Sequence, residues 1–205
     1  MMISMSQPEH FPYLGYFQKM KNCDLFVVMD NVKFGGPKSF QNRNRFTYNG
    51  IPHWFTVPVQ KGSNEKLINE VLVLDDDHWR KKMVSTLQQR FHMDLTWIYE
   101  SNKLVDINMN SIKLCRKMFG IETEMVLASS IPVTGAKAEL VYNISKYFSA
   151  DKFLSGPGSR EYFETYDFKD LQIQYTNPIT NYESSLAFLT DENLLQEAKD
   201  LISSC

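Results

Sequence analysis

Residues 39–46 read SFQNRNRF, in which Arg43 and Arg45 alternate with Asn42 and Asn44 inside a frame of Phe40 and Phe46. A guanidinium presents five donors in a fixed fork that matches phosphate or carboxylate, and an Asn amide both donates and accepts. Between Asn31 and Asn64 the charged residues are Lys33, Lys38, Arg43, Arg45 and Lys61, with no Asp or Glu. The spacing predicts an anion-binding segment, with Arg43 and Arg45 on phosphates and Asn42 and Asn44 orienting polar substrate groups. On a strand the two residue types fall on opposite faces, so that one face binds and the other ties the segment down. The plainer reading is an edge strand guarded by charge.

Three more places carry chemistry-bearing side chains. In QPEHFPYLGYF, residues 7–17, Gln7 offers an amide, Glu9 a carboxylate and His10 an imidazole able to titrate near neutrality. Asp30 ends an apolar run, where a carboxylate serves as a base or caps the following turn. The stretch LSGPGS, residues 154–159, exposes backbone N–H groups at Gly156 and Gly158 beside the Ser155 hydroxyl, which suits an anion or simply a tight turn. Asp30, Glu9 and His10 are the candidate proton acceptors. Gln7, Asp30, Arg43 or Arg45, and the Ser155–Gly158 loop are expected to line one cleft, with Phe40 and Phe46 anchoring its wall in the core. No CxxC, HExxH or similar cluster marks a metal site, and no cofactor is legible.

The elements that must position these groups follow from the apolar pattern. Ile3–Ser6 predicts a strand, Leu14–Lys21 a helix, and the apolar run from Asp24 to Met29 a second, buried strand. Phe46–Tyr48 and His53–Pro58 flank Asn49-Gly50, the signature of a β-hairpin. Glu70–Leu74 predicts another strand. Helices are expected after Asp75-Asp76-Asp77, over Leu104–Phe119 with Gly120 as its cap, over Ala136–Phe148 and over Asn193–Ile202. Strands are expected over Glu124–Ala128, Lys152–Leu154 and Leu171–Tyr175. The alternation predicts an α/β fold: a Rossmann-like, mainly parallel sheet flanked by helices, with a β-hairpin insertion after the second strand. The reading is one α/β domain over residues 1–205, with a β-rich insertion at about 31–64.

The 205 residues carry 22 Lys and Arg against 24 Asp and Glu, a net charge of −2 that gives no global sign of nucleic-acid or membrane binding. No apolar run reaches the roughly 20 residues of a membrane helix, and MMISMSQPEH lacks the pattern of a signal peptide. Cys23, Cys115 and Cys205 are scattered and odd in number, which predicts reduced thiols and a cytoplasmic location.

The segments QPEHFPYLGYF, DLFVVMDNVKF, FQNRNRF, WFTVPV and FLSGPGSREYF, taken in order, resemble the WbqC-like family. Here Ser6 stands where the family often has His, and His10 where Tyr is common. The strand, Pro/Gly loop and helix at the start also resemble the opening of HIGH-type nucleotidyltransferases, without their HxGH element. The family resemblance implies a bacterial protein of O-antigen or other surface-polysaccharide biosynthesis. It further implies an aminoacyl transferase, with glycine a candidate acyl group, acting on an amino sugar or nucleotide-sugar. The expected partners are a phosphorylated small molecule or nucleotide-sugar and an activated aminoacyl donor, with no membrane and no direct sign of nucleic acid. The alternative is a non-catalytic module that binds a nucleotide-sugar or a partner enzyme.

Overall fold

The computed structural model describes residues 1–204. Its centre is a five-stranded parallel sheet made of β1 (Met2–Ser6), β2 (Leu25–Val28), β5 (Glu124–Leu127), β6 (Lys152–Ser155) and β7 (Gln172–Tyr175). The spatial order is β5-β2-β1-β6-β7. The helices are α1 (Leu14–Lys21), α2 (Asp77–Phe91), α3 (Leu104–Phe119), α4 (Lys137–Tyr147), α5 (Arg160–Glu164) and α6 (Glu192–Ser203). Two strands, β3 (Arg43–Tyr48) and β4 (Ile51–Thr56), form a separate antiparallel hairpin. This is the α/β architecture expected from the alternation of elements.

The inner strands β1, β2 and β6 are buried on both faces, and their side chains divide by the period of two. Phe26 and Val28 of β2 join a cluster with Leu14 and Phe17 of α1, Ile107 and Ile112 of α3, Ile202 of α6 and Phe46 and Phe55 of the hairpin. Leu25 and Val27 face the other way, toward Ala138 and Ile144 of α4 and Phe163 of α5. Helices on opposite faces follow from the strand order. From β1 the chain moves to β2 and then to β5, and next returns past β1 to β6. Right-handed crossovers in opposite directions place their helices on opposite faces. The reversal leaves a crevice between the carboxyl ends of β1 and β6.

The segment after β2 is the insertion. Its turn is Asn49-Gly50, both with positive φ (50° and 74°), as a two-residue hairpin needs. One expected strand does not form. Residues 68–70 make a 3-10 turn, and Leu72 and Val73 touch Lys103 and Val59 only through isolated bridges. Val71 and Val73 are wholly buried, so the apolar pattern reports burial there rather than a sheet. At α2 the acidic run acts as expected: Asp76 caps the helix by accepting from the His78 amide at 2.8 Å. Cys23 and Cys115 are free thiols, and Cys205 lies outside the described residues.

Candidate functional site

A cavity of about 460 Å³ opens at the point where the strand order reverses. Its floor is the ends of β1 and β6, with Met5, Ser6 and Gln7 on one side and Phe153, Ser155 and Gly156 on the other. The 156–159 loop forms one wall. Helix α1 forms the opposite wall with Gly15, Gln18 and Lys19, which share a face by their three- and four-residue spacing. Thr176, Asn177 and Pro178, after β7, close the far side with Tyr182.

The cation in this cavity is Lys19. Its Nζ donates to the Met5 carbonyl at 3.2 Å and to Ser6 Oγ. No carboxylate among the described residues lies within ion-pair distance of it. Burial pushes its pKa down to about 8, with Glu9 acting weakly the other way. Burial likewise raises Glu9 to about 7, against the pull of Lys19. Lys19 lines the cavity, whereas Glu9, the carboxylate that acts on it, does not.

The loop after β6 is shaped for close approach. Gly156 has φ −77° and ψ 156°, which any residue adopts, so its backbone does not require glycine. A Cβ at Gly156 or Gly158 would meet nothing within 4 Å. What the glycines leave is room beside the main chain. Ser155 and Ser159 share a hydroxyl contact at 2.6 Å, and Ser159 Oγ donates to the Gly156 carbonyl at 2.8 Å. On the opposite wall Gly15 sits directly beneath the Tyr13 ring, whose outer end an added Cβ would push aside. That ring covers the first turn of α1 and sits 5.6 Å from the ring of Tyr182. Burial and the neighbouring Glu9 and Tyr182 raise Tyr13 to about 12, so its phenol stays protonated.

Of the residues expected to share one cleft, Gln7 and Ser155–Gly158 line this cavity, while Asp30, Arg43 and Arg45 do not. Asp30 is fully buried, and Ser129 occupies both its oxygens: the amide donates to Oδ1 at 2.8 Å and the hydroxyl to Oδ2 at 2.6 Å. It caps the turn after β5 and not the turn that follows Asp30 in the chain. Asp30→Asn is expected to cost about 1.5 kcal/mol of stability, since a charge-assisted acceptor is lost. A urea titration reads this directly; an unchanged midpoint would refute the tie.

His10 is wholly buried, with Nε2 3.2 Å from the Tyr99 hydroxyl and its ring edge-on to Phe11 and Phe55. Burial lowers its pKa to about 3, so it stays neutral in a core position away from the cavity. Asn42 and Asn44 are also buried. Asn42 Nδ2 donates to the Val57 carbonyl at 3.0 Å, and Asn44 Nδ2 reaches the carbonyls of His10 and Phe11 at 3.1 and 2.7 Å. The Asn face therefore ties the insertion down, while Arg43 and Arg45 point away from the body and flank Trp54. Phe46 is anchored in the core as expected, but Phe40 is 48% exposed.

Sequence reasoning missed Lys19, Thr176, Asn177 and Tyr182. For Lys19 the signal was present, since it follows Gly15 by four residues on the helix that leaves the Gln7 loop. It also missed Asn108, a buried side chain of α3 whose amide joins the Pro8 carbonyl to that of Gln41. Gln41 in turn donates to Gln7 Oε1, so the root of the insertion abuts the cavity.

The uncharacterized protein Rv1507c of Mycobacterium tuberculosis is 26% identical over 186 residues, covering 85% of this chain and 80% of its own. No solved structure matches the chain. The profile of one family spans residues 7–187, from the Gln7 loop through the cavity walls to the turn beyond Tyr182. By that match the chain belongs to the WbqC-like protein family.

Proposed function

We propose that the switch-point cavity holds a phosphorylated amino sugar, such as a nucleotide-sugar, and that the chain joins an aminoacyl group to its amine. The observation that carries this reading is a half-buried cation facing a glycine-edged loop across the crevice where α/β proteins bind ligands. Lys19 and the Ser155–Gly158 loop take the phosphate, and Gln7 orients the sugar. The aromatic pair Tyr13 and Tyr182 offers a stacking wall for a ring.

In the reaction Glu9, which is not itself a lining residue, takes a proton from the sugar ammonium by way of one water. The freed nitrogen attacks the acyl carbonyl carbon, the C–N bond forms, and the bond from carbon to the donor's carrier breaks. The carrier leaves with that electron pair, the proton held by Glu9 passes to it, and the amide nitrogen sheds its second proton to solvent. Glycine is the acyl group, and surface-polysaccharide assembly the setting, that the family resemblance suggests.

The test is turnover. Candidate activated aminoacyl donors are incubated with a nucleotide-linked amino sugar, and mass spectrometry seeks the sugar heavier by one aminoacyl unit. Sugar binding without any product would favour the non-catalytic module. The same assay checks a pH profile. The rate should rise as Glu9 loses its proton near pH 7 and fall as Lys19 loses its charge above about pH 8. A narrow maximum between the two is expected, and a rate flat from pH 6 to 9 would remove both groups from the mechanism.

A further inference from the structure

The motif with the highest density of recognition groups, RNRF, leaves its arginines outside the cavity, and the hairpin that carries them has an uncovered side. Register places Arg43 and Arg45 on one face with Trp54, opposite the face that bears Asn44 and Phe55. The guanidinium of Arg43 lies 4.3 Å from the Trp54 ring centre and that of Arg45 5.7 Å. On the other face of the hairpin Arg90, at the end of α2, lies 3.7 Å over the ring of Tyr48. None of the three arginines has a carboxylate partner among the described residues. The carboxylate bound to the hairpin is Glu183, which accepts from the amide and hydroxyl of Thr47.

Beyond these cations the hairpin projects. Residues 47–52, TYNGIP, are all exposed and none is charged. Ile51 is 60% exposed, Trp54 46% and Tyr48 42%. We propose that this hairpin docks the protein on an anionic lipid bilayer. In that arrangement the uncharged tip with Ile51 enters the acyl boundary, Tyr48 and Trp54 sit among the headgroups, and Arg43, Arg45 and Arg90 meet lipid phosphates. The order of groups along the hairpin distinguishes this partner from nucleic acid. A nucleic-acid surface puts its cations where the phosphates are first met, whereas here they stand behind an uncharged tip. The interaction is with the surface only, since no helix of the described residues is long and apolar enough to cross a membrane. The net charge of −2, which gave no sign of a membrane, conceals this segregation of charge.

Flotation of the full chain with vesicles tests the proposal. Vesicles of phosphatidylcholine with 30% phosphatidylglycerol should carry the protein upward at low salt and release it at about 0.5 M NaCl. The double variant Arg43→Ala with Arg45→Ala should lose about 30-fold in partitioning. Ile51→Asp, which leaves every arginine in place, should lose at least tenfold. Circular dichroism confirms that each variant is folded. Absence of wild-type flotation, equal flotation with pure phosphatidylcholine, or flotation unaffected by either change would overturn the proposal. Binding of a homopolymeric RNA without binding to vesicles would overturn it in favour of nucleic acid.

Discussion

Lys19→Met is expected to weaken binding of a nucleotide-linked amino sugar by roughly 1.5–3 kcal/mol, or about ten- to more than a hundredfold, because a charge-assisted hydrogen bond to phosphate is lost. Methionine keeps the apolar stem that packs on α1, so the change is concentrated at the head of the side chain. Lys19 is the cation that lines the cavity, and no carboxylate within ion-pair distance competes for it. The variant also removes the donor to the Met5 carbonyl and Ser6 Oγ. Thermal melting beside calorimetry therefore separates a binding loss from a folding loss. Unchanged affinity in a folded variant would move the phosphate site elsewhere.

Asn44→Ala should be the most damaging change in the RNRF stretch, at about 3 kcal/mol. This corresponds to a fall in Tm of roughly 6–12 °C for a chain of this size. The amide donates to two buried carbonyls, those of His10 and Phe11, and its oxygen accepts from the Arg45 amide at 2.8 Å. Alanine leaves both carbonyls without that donor in a site closed to water. Phe11 adds to the cost, because it holds a left-handed φ of 47° that a non-glycine residue adopts only under constraint. Arg45→Ala, one residue away and on the outer face, should stay within about 0.5 kcal/mol of the parent. A loss below 1 kcal/mol for Asn44→Ala would mean that the hairpin is held by its apolar face alone.

What could be read from the sequence was what is local. The period-two runs of β1 and β2, the Asn-Gly turn and the acidic start of α2 are each set by neighbours a few residues away, and each forms. The alternation of RNRF also held, with Asn inward and Arg outward. Its arginines were expected in the cleft and do not line it, because alternation says that two faces exist and not what covers them. Asp30 and His10 failed for a different reason. Their partners, Ser129 and Tyr99, lie 99 and 89 residues away, and no spacing argument reaches across a crossover of that length. Val71 and Val73 show the converse limit: an apolar alternation identical to a strand's was satisfied by packing, with no strand beside it to pair.

The pairing of β1 with β6 has a consequence for how the molecule is made. Ile3 lies beside Phe153 and Ser4 beside Leu154, so the centre of the sheet joins segments about 150 residues apart. At a synthesis rate of 5–20 residues per second, roughly 7–30 s separate the emergence of the two strands. During that interval β1 can pair with β2 but presents a bare edge on its other side, and the nascent chain is open to mispairing there. The crevice does not exist until β6 docks, so ligand cannot assist folding before Ser155 has emerged. The binding site is thus a late product of biosynthesis, and its ligand can only stabilise a chain whose sheet is already closed.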